Sequence, residues 1–446
     1  MTAPPPGTAQ VQHPPDQAAA ARPGSVTGRL RGHLRNPLYT NVYALTLNTV
    51  VSSVLGIGYW VLAARLYSPQ ELGTGAAVIS TMTLLSMLSQ LNLNSALARF
   101  LPAAGRRGGA LIGYAYAASC GVALLLGTGF LVLVPGVADR MGLGSAGPLL
   151  AAGFVVAVAA WGVFTLQDSV LTALRGAVWV PVENAAFGVA KLVLLVALAA
   201  VAPSTGIFLS WTVPVLLALV PINLLVFRRL LPPLHRRAQA SVLPARRLLL
   251  RFVTLDYVGF LFLQAGTNAL PVLVTSVLGA GANAVFYVGW LLGSSMELVA
   301  YHFGMSLTVE SAADPSRLAR YARDVLRRGL LLLGAGSLLL FACAPLLLAP
   351  FGGGYADASS TVLRLFALAV VPKLVVTVFV AACRLRQRVG PIVAVQAGTS
   401  TIVVSLALLG MRPFGVAAVG VAYLTAQVVA AAVVLPALVR LVRSPQ

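Results

Sequence analysis

The segment Ala110–Val134 reads ALIGYAYAASCGVALLLGTGFLVLV and contains no charged side chain. A helix of about 20 apolar residues crosses the hydrocarbon core of a bilayer, because each residue advances it by about 1.5 Å. Inside hydrocarbon the backbone must satisfy its own hydrogen bonds, which leaves helices and closed barrels. A barrel strand needs only about 9–11 residues. The segment is therefore predicted to be a transmembrane helix.

Similar apolar runs fill most of the chain. Of its 446 residues 59% are hydrophobic and 9% are charged, against about 25% charged residues in an ordinary soluble domain. The pattern predicts an all-α polytopic membrane protein of about twelve transmembrane helices. The predicted spans are 41–65, 74–97, 110–134, 147–168, 178–201, 206–227, 253–277, 284–306, 329–350, 361–383, 389–410 and 414–439.

The formal charge of +20 would suggest a nucleic-acid partner in a soluble protein. Here, 25 of the 29 arginines lie in segments that share one side of the membrane. Arg65, Arg140 and Arg412 fall on the other side, and Arg364 lies near the outer end of span ten. Such a bias sets the orientation of short-loop membrane proteins. Both termini are predicted to be cytoplasmic, with membrane lipids and no nucleic acid as partners.

The arginine-rich loop after span six divides the chain into two halves of six spans each. Arg-Arg-Gly occurs at 106–108 and again at 327–329, in corresponding positions of the two halves, as expected of a duplicated bundle with a transport path between its halves. The predicted organisation is a disordered basic cytoplasmic tail at 1–36, an N-terminal six-helix bundle at 37–227, a basic linker at 228–252, a C-terminal six-helix bundle at 253–440 and a short tail at 441–446.

The segment between spans eight and nine has the pattern of an amphipathic helix. Asp314-Pro315 reads as a helix cap followed by proline at the first helical position. Leu318, Ala322 and Val325 then share one face, and arginines occupy much of the rest. This pattern predicts a helix on the cytoplasmic surface, although a solvated charged loop fits it nearly as well.

No motif in the sequence supports a chemical active site. The chain has no G-x-x-x-x-G-K-[ST], G-x-S-x-G or H-E-x-x-H, and its acidic residues are too dispersed to suggest a carboxylate pair. Its three cysteines form no metal-binding pattern. The chain is therefore predicted to be a non-enzyme without a metal or cofactor, for which a gradient of H⁺ or Na⁺ is the candidate energy source.

Ionisable residues inside the spans are the candidate functional residues. Glu297 lies near the middle of span eight, and Asp256 lies about one turn inside span seven. A charge facing lipid at a helix centre costs about 2.5–3.5 kcal/mol, so these groups should face an interior cavity. Glu297 and Asp256 are the candidates for proton or cation coupling. For Glu297 a structural, hydrogen-bonded carboxylate is the alternative, and Asp256 could be simply interfacial.

Both lysines of the chain, Lys191 and Lys373, fall near mid-membrane, whereas every other cation is arginine. A desolvated lysine can lose its proton and can serve as a switchable partner for an anion such as pyrophosphate. Lys191, Lys373 and Arg364 are therefore predicted to form a cationic substrate path. Arg364 and Lys373 are nine residues apart and half a turn out of phase, which argues against a shared helix face.

The segment Ala64–Gly73, ARLYSPQELG, resembles the loop between the first two helices in the polysaccharide-transporter branch of the multidrug/oligosaccharidyl-lipid/polysaccharide (MOP) flippase superfamily. The segment RFLP at 99–102 is similar to the same family's pattern. The residues that carry this resemblance are Arg65, Pro69, Glu71, Gly73, Arg99 and Pro102. The resemblance implies a V-shaped pair of six-helix bundles, alternating access and an undecaprenyl-pyrophosphate-linked glycan as cargo.

The sequence departs from this family at its ion sites, since span one has no acidic residue and span eleven offers only Gln396. The predicted function is that of a flippase for a lipid-linked oligosaccharide in a bacterial inner membrane, with glycosyltransferases and a polymerase of the same pathway as further partners. A cation-coupled multidrug exporter of the same superfamily is one alternative. A membrane subunit of a glycosyltransferase or polymerase assembly and a non-transporting scaffold are two others.

Overall fold

The computed structural model describes residues 37–144, 147–237, 257, 261–262, 264 and 266–443. These residues form helices joined by short turns, and no strand occurs among them. Twelve helices overlap the predicted spans in order: α1 Pro37–Leu66, α2 Pro69–Ser89, α3 Gly108–Leu133, α4 Pro148–Ala173, α5 Trp179–Val201, α6 Gly206–Leu225, α7 Leu270–Leu278, α8 Ala280–Ala313, α9 Leu318–Ala342, α10 Ser360–Leu385, α11 Val389–Phe414 and α12 Ala417–Arg443.

The all-α membrane fold predicted from the sequence is confirmed. Ten helices in the described part of the chain are long and apolar enough to cross a bilayer. The described apolar part of α1 is the shorter stretch Val51–Leu66, and α7 has nine residues. The total of twelve spans and the cytoplasmic position of the termini therefore stay predictions. The tail at 1–36, most of the linker and Asp256 lie outside the described residues.

Helix α2 begins at the motif that carries the family resemblance. The hydroxyl of Ser68 accepts a hydrogen bond from the backbone N–H of Glu71 at 3.3 Å, and the Glu71 carboxylate accepts one from the backbone N–H of Ser68 at 2.8 Å. Pro69 occupies the first helical position. This reciprocal capping satisfies two N–H groups that a helix start leaves open. Pro69 and Glu71, two of the residues that carry the resemblance, thus have a structural role at the start of α2.

Gly73, also in the motif, lies where the N-terminal half (α1–α6) meets the C-terminal half (α7–α12). A Cβ atom at this position would stand 1.7 Å from the carbonyl oxygen of Ala280 at the start of α8. The side-chain amide of Asn283 donates a hydrogen bond to the Gly73 carbonyl at 2.8 Å. Only glycine permits such an approach of two backbones, so the contact between α2 and α8 depends on it.

The same end of the bundle carries further contacts between the halves, and we call it the Arg65 end. The Arg65 guanidinium donates to the backbone carbonyls of Pro350 at 2.8 Å and Ala349 at 3.2 Å. The rings of Trp60 and Tyr287 lie 4.5 Å apart. One buried apolar cluster includes these two aromatic residues and crosses from one half to the other. The two halves are therefore packed together at the Arg65 end.

The predicted surface helix between spans eight and nine is wrong in its placement. Its residues form the first turns of α9, which runs without a break from Leu318 to Ala342. Leu318, Ala322 and Val325 are buried and belong to a core cluster that includes residues of α8 and α10. Because the apolar stripe continues through Gly329 and Leu333, it holds the segment against these helices rather than against a membrane surface.

The helix cap predicted at Asp314 is present in a shorter form. The Asp314 carboxylate accepts hydrogen bonds from the hydroxyl of Ser316 at 2.5 Å and from its backbone N–H at 3.2 Å, and it pairs with Arg317 at 3.0 Å. These partners, the Ser316 hydroxyl foremost, hold the pKa of Asp314 below its usual value. They stabilise the 3₁₀ turn Pro315–Arg317 that leads into α9.

The last helix of the predicted N-terminal bundle continues beyond residue 227. The chain does not leave the helical conformation at residue 228. It continues from α6 through a π-helical turn, Val226–Leu230, into the helix Leu231–Arg237. Val226 and Leu231 are buried against α3 and α4. Apolar packing therefore extends the helix beyond the arginine pair at which the sequence pattern ends it.

The Gly73 contact predicts that Gly73→Ala lowers stability. The added methyl group would overlap the Ala280 carbonyl, and overpacking of this kind costs about 1–3 kcal/mol. Thermal melting of the purified protein in detergent measures the loss. Gly58→Ala in α1 is the matched control, because a Cβ there meets no atom within 4 Å. Equal melting of the two variants would contradict the assigned role of Gly73.

Candidate functional site

A row of glycines on α8 brings Glu297 against α10. A Cβ on Gly293 would stand 2.5 Å from the side chain of Phe366, and one on Gly304 would stand 2.6 Å from that of Thr377. Gly293 precedes Glu297 by one helical turn and Gly304 follows it by two, so all three lie on one face. The absence of side chains on both flanks allows the two helices to approach closely, which buries the carboxylate between them.

Glu297 forms a closed ring of interactions with Lys373 of α10 and Tyr423 of α12. The Lys373 ammonium forms an ion pair with Oε2 of Glu297. It also donates to the Tyr423 hydroxyl at 2.7 Å, and that hydroxyl donates to Oε1 of Glu297 at 2.6 Å. The Glu297 and Lys373 side chains are 12% and 16% exposed. Each charge is therefore neutralised within a largely buried setting, as a buried pair requires.

Tyr423 is held in place by its own neighbours. Its ring stacks on Phe366 with centroids 4.5 Å apart and planes at 18°. The side chain of Gln427, one turn further along α12, hydrogen-bonds to its hydroxyl. Both Tyr423 and Gln427 are buried. The hydroxyl position is therefore determined by packing as well as by the ion pair that it joins.

This ring lines a cavity of about 340 Å³. All its described lining residues belong to the C-terminal half. They lie on α8, α10, α11 and α12 and at residues 264 and 266–268, which precede α7. The polar and charged lining residues are Gln264, Thr267, Asn268, Glu297, Tyr301, Thr308, Lys373, Thr377, Arg384, Gln396, Thr399, Ser400, Tyr423 and Gln427. The sequence predicts a transport path between the two halves, whereas this cavity lies within one of them.

The described lining of the cavity carries more positive than negative charge. Lys373 and Arg384 are both on α10, eleven residues or about three turns apart, and Glu297 supplies the only carboxylate among the described lining residues. Arg384 is exposed near the end of α10. The remaining polar groups are mainly amides and hydroxyls. Chemically, such a cavity can accept an anion and make many hydrogen bonds to a neutral polar group.

Lys191 lies in the other half of the molecule, away from Lys373. It is 6% exposed, and its ammonium faces the rings of Trp211 at 4.3 Å and of Tyr59 and Phe187 at 5.0 Å each. No acidic side chain in the described part of the chain forms an ion pair with it. Cation–π attraction stabilises its charge. The structure does not bring Lys191 into the cavity that Lys373 lines.

Arg364 also lies apart from the cavity, although it shares α10 with Lys373. Its guanidinium donates to the carbonyl of Phe341 at 3.2 Å and lies 5.4 Å from the ring of the same residue. The half-turn offset predicted between Arg364 and Lys373 agrees with this placement.

The remaining predicted residues lie elsewhere in the chain. Arg99 stacks on Phe100 at 5.5 Å, and Pro102 lies in a 3₁₀ turn. The second coupling candidate, Asp256, falls outside the described residues.

No protein-family model and no curated protein sequence matches the chain. Solved structures match nearly all of it. An inward-facing multidrug resistance transporter of the MATE family, in the MOP superfamily, is 14% identical, with a TM-score of 0.65 over 91% of this chain and 100% of that chain. The lipid II flippase MurJ, in an inward closed conformation, is 12% identical, with a TM-score of 0.66 over 89% of each chain. The MATE transporter VcmN of Vibrio cholerae, in a mutant form, is 13% identical, with a TM-score of 0.62 over 92% and 97%.

The chain has the MOP fold. Identities of this size establish the architecture alone, so the resemblance drawn from the sequence is confirmed at the level of the MOP fold. Membership of the polysaccharide-transporter branch stays a prediction. In this structure, Pro69 and Glu71 begin α2, and Arg65 and Gly73 join the halves at the Arg65 end. None of these four motif residues lines the cavity.

Tyr423 and Arg384 are among the residues of the cavity that sequence reasoning did not single out. Tyr423 sits in an apolar span and was not distinguished from a packing tyrosine. Its signal is Gln427 one turn away, because two polar groups on one face of an apolar helix indicate a polar neighbour. Arg384 was counted among the arginines on one side of the membrane and was not named as a site residue. Arg384 is exposed at the end of α10, as other arginines nearby are. Only its position in the cavity lining distinguishes it from them.

The ring of interactions predicts strong coupling between Glu297 and Lys373. Lys373→Met leaves the Glu297 carboxylate buried without its counter-charge and should cost about 3–5 kcal/mol. Adding Glu297→Gln should recover most of this loss, because the double variant buries no charge. Denaturant titration in detergent micelles measures each change. Arg386→Met, an exposed cation near the end of α10, should change stability by less than about 0.5 kcal/mol. Simple additivity of the two substitutions would contradict the pairing.

Proposed function

We propose that this chain is a membrane transporter that moves a lipid-linked oligosaccharide, joined through pyrophosphate to a polyprenyl tail, across a bacterial inner membrane by alternating access. It would act beside the glycosyltransferases and polymerase of the same pathway. The observation that carries the proposal is the charge balance of the cavity, whose described lining contains two cations, Lys373 and Arg384, and one carboxylate, Glu297. A net positive cavity in an apolar bundle favours an anionic cargo over a cationic one.

The two cations suit the pyrophosphate part of such a cargo. An arginine can hold a phosphate through two parallel hydrogen bonds, and a lysine binds it as a point charge. Arg384 stands exposed near the end of α10, and Lys373 lies about three turns deeper. The arrangement supports entry of an anionic headgroup at Arg384 and its transfer to Lys373 inside the bundle.

The other lining groups suit a sugar. Four amide side chains and several hydroxyls line the cavity, and these groups both donate and accept hydrogen bonds, as sugar hydroxyls require. They are Gln264, Asn268, Gln396, Gln427, Thr267, Thr308, Thr377, Thr399 and Ser400. The amide oxygen of Gln396 is buried without a hydrogen-bond partner among the described residues. A sugar hydroxyl would satisfy it.

An anion that binds Lys373 must compete with Glu297, its partner in the ring. Separation of the pair would leave an ionised Glu297 buried and unpaired, at a cost that disfavours binding. A proton taken up by Glu297 removes this cost. We infer that anion binding at Lys373 and proton uptake at Glu297 are linked, which would couple the transport of the cargo to a proton gradient.

Transport can be measured in vesicles that contain the purified protein and a polyprenyl-pyrophosphate-linked disaccharide with a fluorophore on its sugar. An impermeant reductant bleaches only the outer leaflet, so flipping increases the bleached fraction. Lys373→Met should slow flipping by about tenfold or more, which corresponds to about 1.4 kcal/mol in the barrier. Arg364→Met, a cation of the same helix outside the cavity, is the control.

Lys191→Met provides a second comparison in the same assay. The cavity geometry predicts flipping near the wild-type rate, whereas a shared cationic path predicts a loss like that of Lys373→Met. Wild-type protein that flips no lipid-linked sugar but expels an organic cation would establish the multidrug exporter instead. Chemical turnover of the lipid-linked sugar would establish the enzyme-subunit alternative.

The linkage between anion and proton predicts a pH dependence. Affinity for farnesyl pyrophosphate, measured by calorimetry in micelles, should rise as the pH falls, because the complex contains one proton more at Glu297. Glu297→Gln should remove this component and leave only the titration of the ligand itself. Proton uptake, read from the difference between buffers of unlike ionisation enthalpy, should disappear in the same variant. An identical pH profile in wild type and Glu297→Gln would contradict the coupling.

A further inference from the structure

The N-terminal half contains buried carboxylates that the proposed transport cavity does not use. Asp168 lies near the end of α4 and Glu183 near the start of α5, on either side of the turn that joins these helices. Glu183 is 4% exposed. The side chain of Asn184 hydrogen-bonds to Asp168, and Glu183 lies within electrostatic range of Asp168 and of Tyr116 on α3. Two acidic groups thus meet inside an apolar bundle.

Most of the side-chain oxygen atoms of Asp168, Glu183 and Tyr116 lack hydrogen-bond partners. Both carboxylate oxygens of Glu183, Oδ1 of Asp168 and the hydroxyl oxygen of Tyr116 are buried and have no hydrogen-bond partner among the described residues. Tyr116 packs against a cluster of apolar side chains that come from α3, α4, α5 and α6. Buried polar atoms in proteins are nearly always satisfied, so several unsatisfied oxygens in one place indicate an absent ligand that they would bind.

The charges of the two carboxylates are also uncompensated. In the part of the chain that the structure describes, no arginine, lysine or histidine forms an ion pair with either group. Arg175, in the adjoining turn, is exposed. Lys191 lies on the same face of α5 but eight residues further on, about 12 Å along the helix, with Phe187 between. Two ionised carboxylates in this setting would repel each other and lose their hydration.

The groups that face Glu183 from neighbouring helices are few. Tyr116 of α3 and Asp168 of α4 are the titratable ones that interact with it. Helices α1 and α6 also pack on α5, and their described side chains place no charged group in an ion pair with Glu183. The site therefore offers oxygen ligands and negative charge together, which is the chemistry that a small hard cation prefers.

We propose that Asp168 and Glu183 form a binding site for one monovalent cation, either a proton on one of the carboxyl groups or a sodium ion. Either ion removes one negative charge and supplies a partner for the orphaned oxygens. This site lies in the half of the molecule opposite to Glu297 and Lys373. It stands whether or not the cavity carries an oligosaccharide, and it adds an ion-binding position that the sequence does not reveal.

Thermal melting of the full-length protein in detergent tests the proposal. A bound proton predicts that the melting temperature falls as the pH rises, because its loss leaves two buried negative charges. Bound sodium predicts that sodium chloride raises the melting temperature relative to N-methylglucamine chloride at equal ionic strength, since a ligand of the folded state stabilises it. Glu183→Gln should remove whichever response the wild type shows, and Asp168→Asn should weaken it.

Asp324→Asn on α9, in the other half of the molecule, is the matched control and should keep the wild-type response. A second readout is tryptophan fluorescence, because Trp161 of α4 lies 5.6 Å from the ring of Phe187, one turn from Glu183. Sodium or pH should change the fluorescence of wild type and not of Glu183→Gln. If Glu183→Gln does not fold, Asp168→Asn decides. Responses that are equal in wild type and in the folded carboxylate variants would overturn the site.

Discussion

Glu297 and Lys373 remain inside an apolar bundle because each supplies the counter-charge that water would otherwise provide. The Tyr423 hydroxyl closes the ring, since it accepts from the ammonium and donates to the carboxylate. This constraint determines much of the surrounding architecture. Three helices must approach one another closely at mid-bundle, and glycines on α8 make that approach sterically allowed on either side of Glu297. The three residues of the ring also line the polar cavity.

The two halves use charge differently. In the C-terminal half a lysine and a carboxylate are paired and line a cavity, so a ligand that competes for either partner can change the pairing. In the N-terminal half, Lys191 is held by aromatic rings, and Glu183 lies about two turns away without forming a pair with it. Buried groups that are near in sequence thus remain separate, whereas Glu297 and Lys373, distant in sequence, meet. The two halves therefore have unlike interiors.

The residues that carry the family resemblance illustrate how a motif can report on architecture. Arg65 binds carbonyl groups of the opposite half, and Gly73 allows α2 to touch α8. Ser68, Pro69 and Glu71 begin α2 at the required position. Together these residues join the halves at the Arg65 end. The motif thus helps to hold the two halves together at one end of the molecule. The cavity is lined by residues outside the motif.

Some properties of the site follow from single helices and others do not. The half-turn offset between Arg364 and Lys373 follows from helical geometry, and the structure agrees with it. The pairing of Lys373 with Glu297 joins residues on different helices. The electrostatic interaction of Asp168 with Glu183 also joins two helices, although the acidic residues are dispersed along the chain. Which faces of separate helices meet depends on packing between them, and the sequence of one helix contains no record of its neighbours.

The amino-acid sequence by itself determined that the chain is an all-α membrane protein and approximately where its helices lie, because hydrocarbon permits only a backbone that satisfies its own hydrogen bonds. It also identified Glu297 and Lys373 as groups that require an interior setting. Only the tertiary structure decided that these two form a ring with Tyr423, that Lys191 is enclosed by aromatic rings, and that the stretch after Asp314 belongs to α9. The physical reason is that burial of a face or a charge is a property of the contacts between helices, whereas hydrophobicity is a property of each helix alone.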